Sequence, residues 1–172
     1  MNSTIINHSF RFVFLIFIQI LFLNNVNING FANVHLYLLF VLLLPYTINK
    51  NITLLLAMAI GFVQDLFMGT MGLSMSSAVL IAYIKPYLIQ IITDKKLDEG
   101  FDLTIQEQGF RWFVIFLSFS YFIYYLAYFT IEIGTFLNIF YIFLKSIFST
   151  ILSVFISFLL IYTFYSKSGR KY

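Results

Sequence analysis

The chain has 172 residues, a length that suits one soluble domain, but 61% of them are hydrophobic, only 10% are charged and the mean hydropathy is +0.94. Globular domains keep roughly a quarter of their residues charged, so this composition excludes a water-soluble fold and makes lipid the natural solvent. The absence of cysteine excludes a disulfide framework and a thiolate metal site, and the net charge of +3 comes from basic residues spread singly or in pairs, which argues against a nucleic-acid partner.

A spanning helix needs about 20 largely apolar residues to cross ~30 Å of hydrocarbon. Cutting the chain wherever polar, charged or glycine residues interrupt it predicts six spans, at 5–23, 31–48, 52–68, 72–92, 111–130 and 136–165, with a hydrophilic loop at 93–110. The fold expected is an all-α integral membrane protein, about six transmembrane helices in one compact bundle forming a single domain. The first run resembles a signal peptide in length, but the Asn-rich stretch 24–30 lacks the small-residue pair a signal peptidase needs, so it is read as an uncleaved span.

Lysine and arginine in short loops resist translocation and set orientation. Arg11, Lys50, Lys95, Lys96, Arg111, Lys167, Arg170 and Lys171 all fall on one side of a six-span topology, whereas the loops near 24–30, 69–71 and 131–135 carry no basic residue. Both termini and the loop 93–110 are therefore expected in the cytoplasm. Tyr121, Tyr124, Tyr125 and Tyr128 gather in the outer half of the fifth span, where an interfacial belt and packing are expected, and Trp112 anchors its inner end.

The stretch 57–86 collects small residues and two intramembrane charges. Ala57 and Gly61, then Ser74, Ala78 and Ala82, follow a four-residue spacing that lets helix backbones approach closely, and Gly69 and Gly72 flank a sharp turn between the third and fourth spans. Asp65 shares a helical face with Gly61 and Gly69; a carboxylate at that depth costs a few kcal/mol unless paired, hydrogen-bonded or wet. It is either a functional group or a cap on the glycine turn. Lys85 is expected to snorkel to the cytoplasmic surface, with Pro86 kinking or breaking its helix and freeing a carbonyl for the lysine or a neighbour. Lys145 stands at the edge of a stripe formed by Ser146, Ser149, Thr150, Ser153 and Ser157, which is expected to face inward. Snorkelling outward, Lys145 would meet Asp65 or Glu132 and tie the last helix to the glycine hairpin.

Enzyme chemistry finds no paired carboxylates within a span and no recognisable catalytic motif, so no catalytic residue, cofactor or metal ligand is expected. His8 and His35 lie on different segments and read as interfacial polar residues. The acidic residues Asp94, Asp98, Glu99, Asp102 and Glu107 make the loop 93–110 a solvated connector or a docking surface for a cytoplasmic partner.

The run from Ala59 through Gly61, Asp65, Gly69, Gly72 and Leu73 to Ser74, continued from Ala78 to Lys85 and Pro86, resembles the signature hairpin of the MreD family of rod shape-determining membrane proteins. Leu42 to Pro45 is similar to the end of that family's second span, while Ser74 stands where a histidine is common. The resemblance implies a multi-pass protein of the bacterial inner membrane. It implies a scaffold working with MreC and, through the rod complex, with MreB, RodA and a class B penicillin-binding protein in lateral peptidoglycan synthesis. Gly61, Asp65, Gly69, Gly72, Lys85, Pro86 and Lys145 are the structural or partner-binding candidates. The alternative is the substrate-binding membrane subunit of a vitamin-type transporter, a class to which the family is similar in fold and which fold alone does not separate.

Overall fold

The described residues of the computed structural model are 33–46, 48–93, 108–134 and 138–165, and among them every regular element is helical. We number the helices α1 (Tyr37–Leu43), α2 (Lys50–Met68), α3 (Leu73–Ile92), α4 (Phe110–Ile133) and α5 (Ile139–Tyr165). The expected first span with His8 and Arg11, the acidic residues with Lys95 and Lys96, and the basic tail lie outside the described residues.

Four of these helices, α2 to α5, are long and apolar enough to cross a membrane, which makes the chain a multi-pass α-helical membrane protein. Their bounds follow local chemistry. The Asn49 side chain accepts from the Asn51 N–H at 3.0 Å to start α2, and Gly69 ends it in the left-handed region at φ 66°. Gly134, at φ 64°, ends α4 three residues beyond the expected 130, with its N–H donating to the Thr130 carbonyl at 3.1 Å. The expected interruption at Pro86 does not end α3, which continues to Ile92 and forgoes the one backbone donor a proline lacks.

The expected continuous span 31–48 is the clearest departure. Its described part contains only the seven-residue α1, about 10 Å long against ~30 Å of hydrocarbon. Residues 33–35 are not helical, and Leu44 leaves the helix at ψ 134°, as the residue before Pro45 is pushed to do. All of α1 except partly buried Leu43 is hidden between α2, α3 and α4. The hydropathy window registers the apolar content of this segment; it does not register that the segment is solvated by protein.

Successive long helices run antiparallel. The Trp112 indole N–H donates to Thr93 Oγ1 at 3.0 Å, joining the start of α4 to the end of α3, and Lys50 Nζ lies 3.9 Å from the centroid of the Tyr83 ring. Lys50 and Arg111 therefore share one end of the bundle, and the turn between Gly69 and Gly72 shares the other with Gly134. Leu55, Phe62, Leu66, Phe119, Phe155 and Leu159 point outward. Exposed apolar residues on this scale are what a lipid-facing surface requires.

Candidate functional site: a polar interior around a broken helix

Gly72 precedes α3 in the left-handed region, φ 77°, and has no side chain with which to cap the helix. Asp65 supplies the missing cap from the neighbouring helix. Its carboxylate accepts from the Ser74 N–H at 2.9 Å, the Met75 N–H at 3.0 Å and the Thr70 hydroxyl at 2.6 Å. The first two are the orphan donors that an N-cap side chain ordinarily satisfies, and a carboxylate there also meets the positive end of the helix dipole. One turn earlier, Gly61 permits the contact: a Cβ at that position would lie 2.5 Å from Met75 Cα, closer than any side chain fits. Ala57, Ser74, Ala78 and Ala82 are buried along the same α2–α3 seam.

Lys85 does not snorkel. Only 4% of it is exposed, and its ammonium donates to the carbonyls of Val41 at 3.0 Å and Leu44 at 2.6 Å. It caps the C-terminal end of α1, where carbonyls are unpaired and the dipole favours a cation. The carbonyls that Lys85 serves thus belong to the broken second segment rather than to its own helix.

At the other end of α1 the non-helical residues 33–35 need partners for their backbone groups, since non-helical backbone at membrane depth survives only where protein satisfies it. The His35 N–H donates to the Tyr125 hydroxyl at 3.0 Å, and the Asn33 N–H to Ser149 Oγ at 3.2 Å. Tyr125 in turn pairs with Ser153 at 2.5 Å, and Tyr121 with Ser157 at 2.9 Å. His35 Nδ1 is hydrogen-bonded to the Tyr124 hydroxyl at 2.6 Å, and that hydroxyl to the one on Tyr37. The His35 ring packs edge-on against Tyr128, centroids 4.9 Å apart. Of the interfacial belt and packing expected for the tyrosines, the packing is found and the belt is not: Tyr121, Tyr124, Tyr125 and Tyr128 are each at most 1% exposed and form the polar centre of the bundle. His35, expected at the interface, is buried among them. The serines at 146, 149, 153 and 157 face this centre.

Lys145 pairs with Glu132 Oε2 at 3.1 Å and lies 4.3 Å from the centroid of the Phe129 ring. Of the two acids it was expected to meet, Glu132 is the one it pairs with, because the carboxylate of Asp65 is engaged with α3. The pair ties α5 to α4 and leaves the glycine hairpin to its own cap. Pro86 lies one residue beyond Lys85 within α3, so the candidates form three separate places: the hairpin cap, the α1 cap and the α4–α5 pair. Among the described residues no three His, Asp or Glu side chains gather to hold a metal ion.

The sequence pointed to the hairpin through its glycine spacing and missed the histidine–tyrosine centre. The signal present was the three- and four-residue recurrence of tyrosines on α4 opposite a serine stripe of the same period on α5. No protein-family model, curated protein or solved structure matches the chain.

Proposed function

We propose that the chain is a non-catalytic scaffold of the bacterial cell-elongation (rod) complex, crossing the inner membrane about six times with both termini in the cytoplasm. The observation that carries this reading is that Gly61, Asp65, Gly69 and Gly72 of the MreD-like signature form one working unit at the hairpin, while Lys85 of the same stretch caps the neighbouring helix. Gly61 admits α3, Asp65 caps it, Gly69 and Gly72 turn the chain, and Lys85 closes the helix held against the same pair. Such an arrangement stiffens a membrane bundle, which suits a protein that positions others. The position of Lys50 and Arg111 at one end supports that end as cytoplasmic. On this reading the partners are MreC and, through the complex, MreB, RodA and a class B penicillin-binding protein.

Depletion in the native bacterium, combined with affinity capture of the tagged chain, tests the proposal. Rounded or swollen cells, with MreC and the elongation synthase recovered, are expected. Cells of normal shape with a vitamin or other small solute bound to the purified chain would replace the scaffold by a transport subunit.

A further inference from the structure

At the Lys50 end of the bundle a cavity of about 260 Å³ opens between the end of α1, the start of α2 and α3. Its walls include Pro45, Lys50, Thr53, Ala82, Lys85 and Pro86, and among the described residues no acidic side chain lines it. An ammonium group has three donors. Lys85 uses two on Val41 and Leu44, so one N–H of this buried side chain has no protein acceptor among the described residues. Lys50 is exposed and held over the Tyr83 ring at 3.9 Å, so a second cation stands at the cavity, with no carboxylate bound to it among the described residues. The first turn of α2 begins at the same place and adds the positive end of its dipole.

Depth and surroundings select the kind of anion. Lys50 lies at the very start of α2, whereas Lys85 is seven residues, about 10 Å, inside the end of α3. The cavity thus reaches from the end of the helices to just beneath it. Pro45, Ala82 and Pro86 give it apolar walls, and Ile52, Tyr83 and Tyr87 outside it are about half exposed. We propose that this cavity binds the phosphate of an anionic lipid headgroup, with Lys50 and the remaining N–H of Lys85 as donors and the acyl chains lying along the apolar outer faces of α2 and α3. Basic pockets between transmembrane helices at the cytoplasmic end suit this chemistry, whereas a freely soluble anion has no use for the apolar approach.

The test uses the full chain in an uncharged detergent, titrated separately with phosphatidylglycerol, phosphatidylcholine and inorganic phosphate. Retained lipid is counted by native mass spectrometry, and the ligand-induced rise in melting temperature is followed in parallel. Phosphatidylglycerol is expected to be retained and to raise the melting temperature, with phosphatidylcholine and inorganic phosphate giving little. Lys50→Gln is expected to weaken phosphatidylglycerol binding about fivefold, and Lys50→Arg to restore it. Because Lys50 is exposed, the comparison does not depend on disturbing the capping role of Lys85. Equal retention of both lipids, or unchanged phosphatidylglycerol affinity in Lys50→Gln, would overturn the site. Inorganic phosphate matching the effect of phosphatidylglycerol and displacing it would overturn the lipid as its source.

Discussion

Asp65 and Tyr125 do the same job by different means: each is a side chain that satisfies backbone donors which the helices leave unpaired. The carboxylate accepts two N–H groups of α3 and one hydroxyl, so Asp65→Ala strands three donors. It is expected to lower stability by about 3 kcal/mol in chemical denaturation of the detergent-solubilised protein. Asp65→Asn keeps an acceptor oxygen without the charge and is expected to lose about half as much. For the tyrosines, what is left behind decides the cost. Tyr125→Phe leaves the His35 N–H unpaired and is expected to cost about 2 kcal/mol. Tyr121→Phe removes only the partner of Ser157, whose hydroxyl can turn to its own helix as those of Ser146 and Thr150 already do. Its expected cost in the same denaturation is about 0.6 kcal/mol. Equal costs for the two would mean that the non-helical stretch does not depend on Tyr125. The role of Asp65 was half legible, because a carboxylate one turn before Gly69 suggests a cap. The helix it caps was not, since that depends on Gly72 having no side chain to do so.

At the scale of elements, α1 is the unusual piece. A seven-residue helix does not hold itself together by its own hydrogen bonds, since nucleation is costly and the four carbonyls at its end are unpaired. It persists because Lys85 takes two carbonyls at one end and the tyrosine and serine hydroxyls hold the residues before its start. Lys85→Met is therefore expected to cost about 2 kcal/mol and to raise amide hydrogen exchange in 37–43 ahead of α4. Retention of wild-type protection over α1 in that variant would show that packing alone maintains the helix. The long helices were readable from the sequence because their signals are local: an apolar run of sufficient length, a glycine in the left-handed region at an end and an asparagine cap at a start. The broken one was not, because its apolar residues read identically whether lipid or neighbouring helices surround them.

For the whole molecule, the antiparallel order of α2, α3 and α4 puts the glycine turn and the Lys50 end on opposite sides of the membrane if the helices cross as proposed. The chain contains no cysteine, so single substitutions report topology without background. Met71 is fully exposed at 101%, and Asn51 is exposed beside Lys50. In intact spheroplasts, a membrane-impermeant maleimide is expected to label Met71→Cys at once and Asn51→Cys only after lysis. The reverse pattern would invert the orientation. Labelling of both in intact cells would remove α2 as a crossing.

By itself the sequence determined the lipid habitat, the bounds of four membrane-length helices to within a few residues and the glycine hairpin with its acidic residue. Each rests on composition or on spacing within one or two neighbouring helices. Only the tertiary structure decided that Lys85 caps α1, that His35 and the tyrosines form a buried hydrogen-bonded centre and that Glu132 is the partner of Lys145. Lys85 and Leu44 are 41 positions apart, His35 and Tyr125 are 90, and Asn33 and Ser149 are 116. Glu132 and Lys145 are close in sequence, but their pairing depends on how α5 turns back along α4 and on Asp65 being engaged with α3. A polar side chain in a membrane is costly until it is paired, and only the packing of the helices selects its partner.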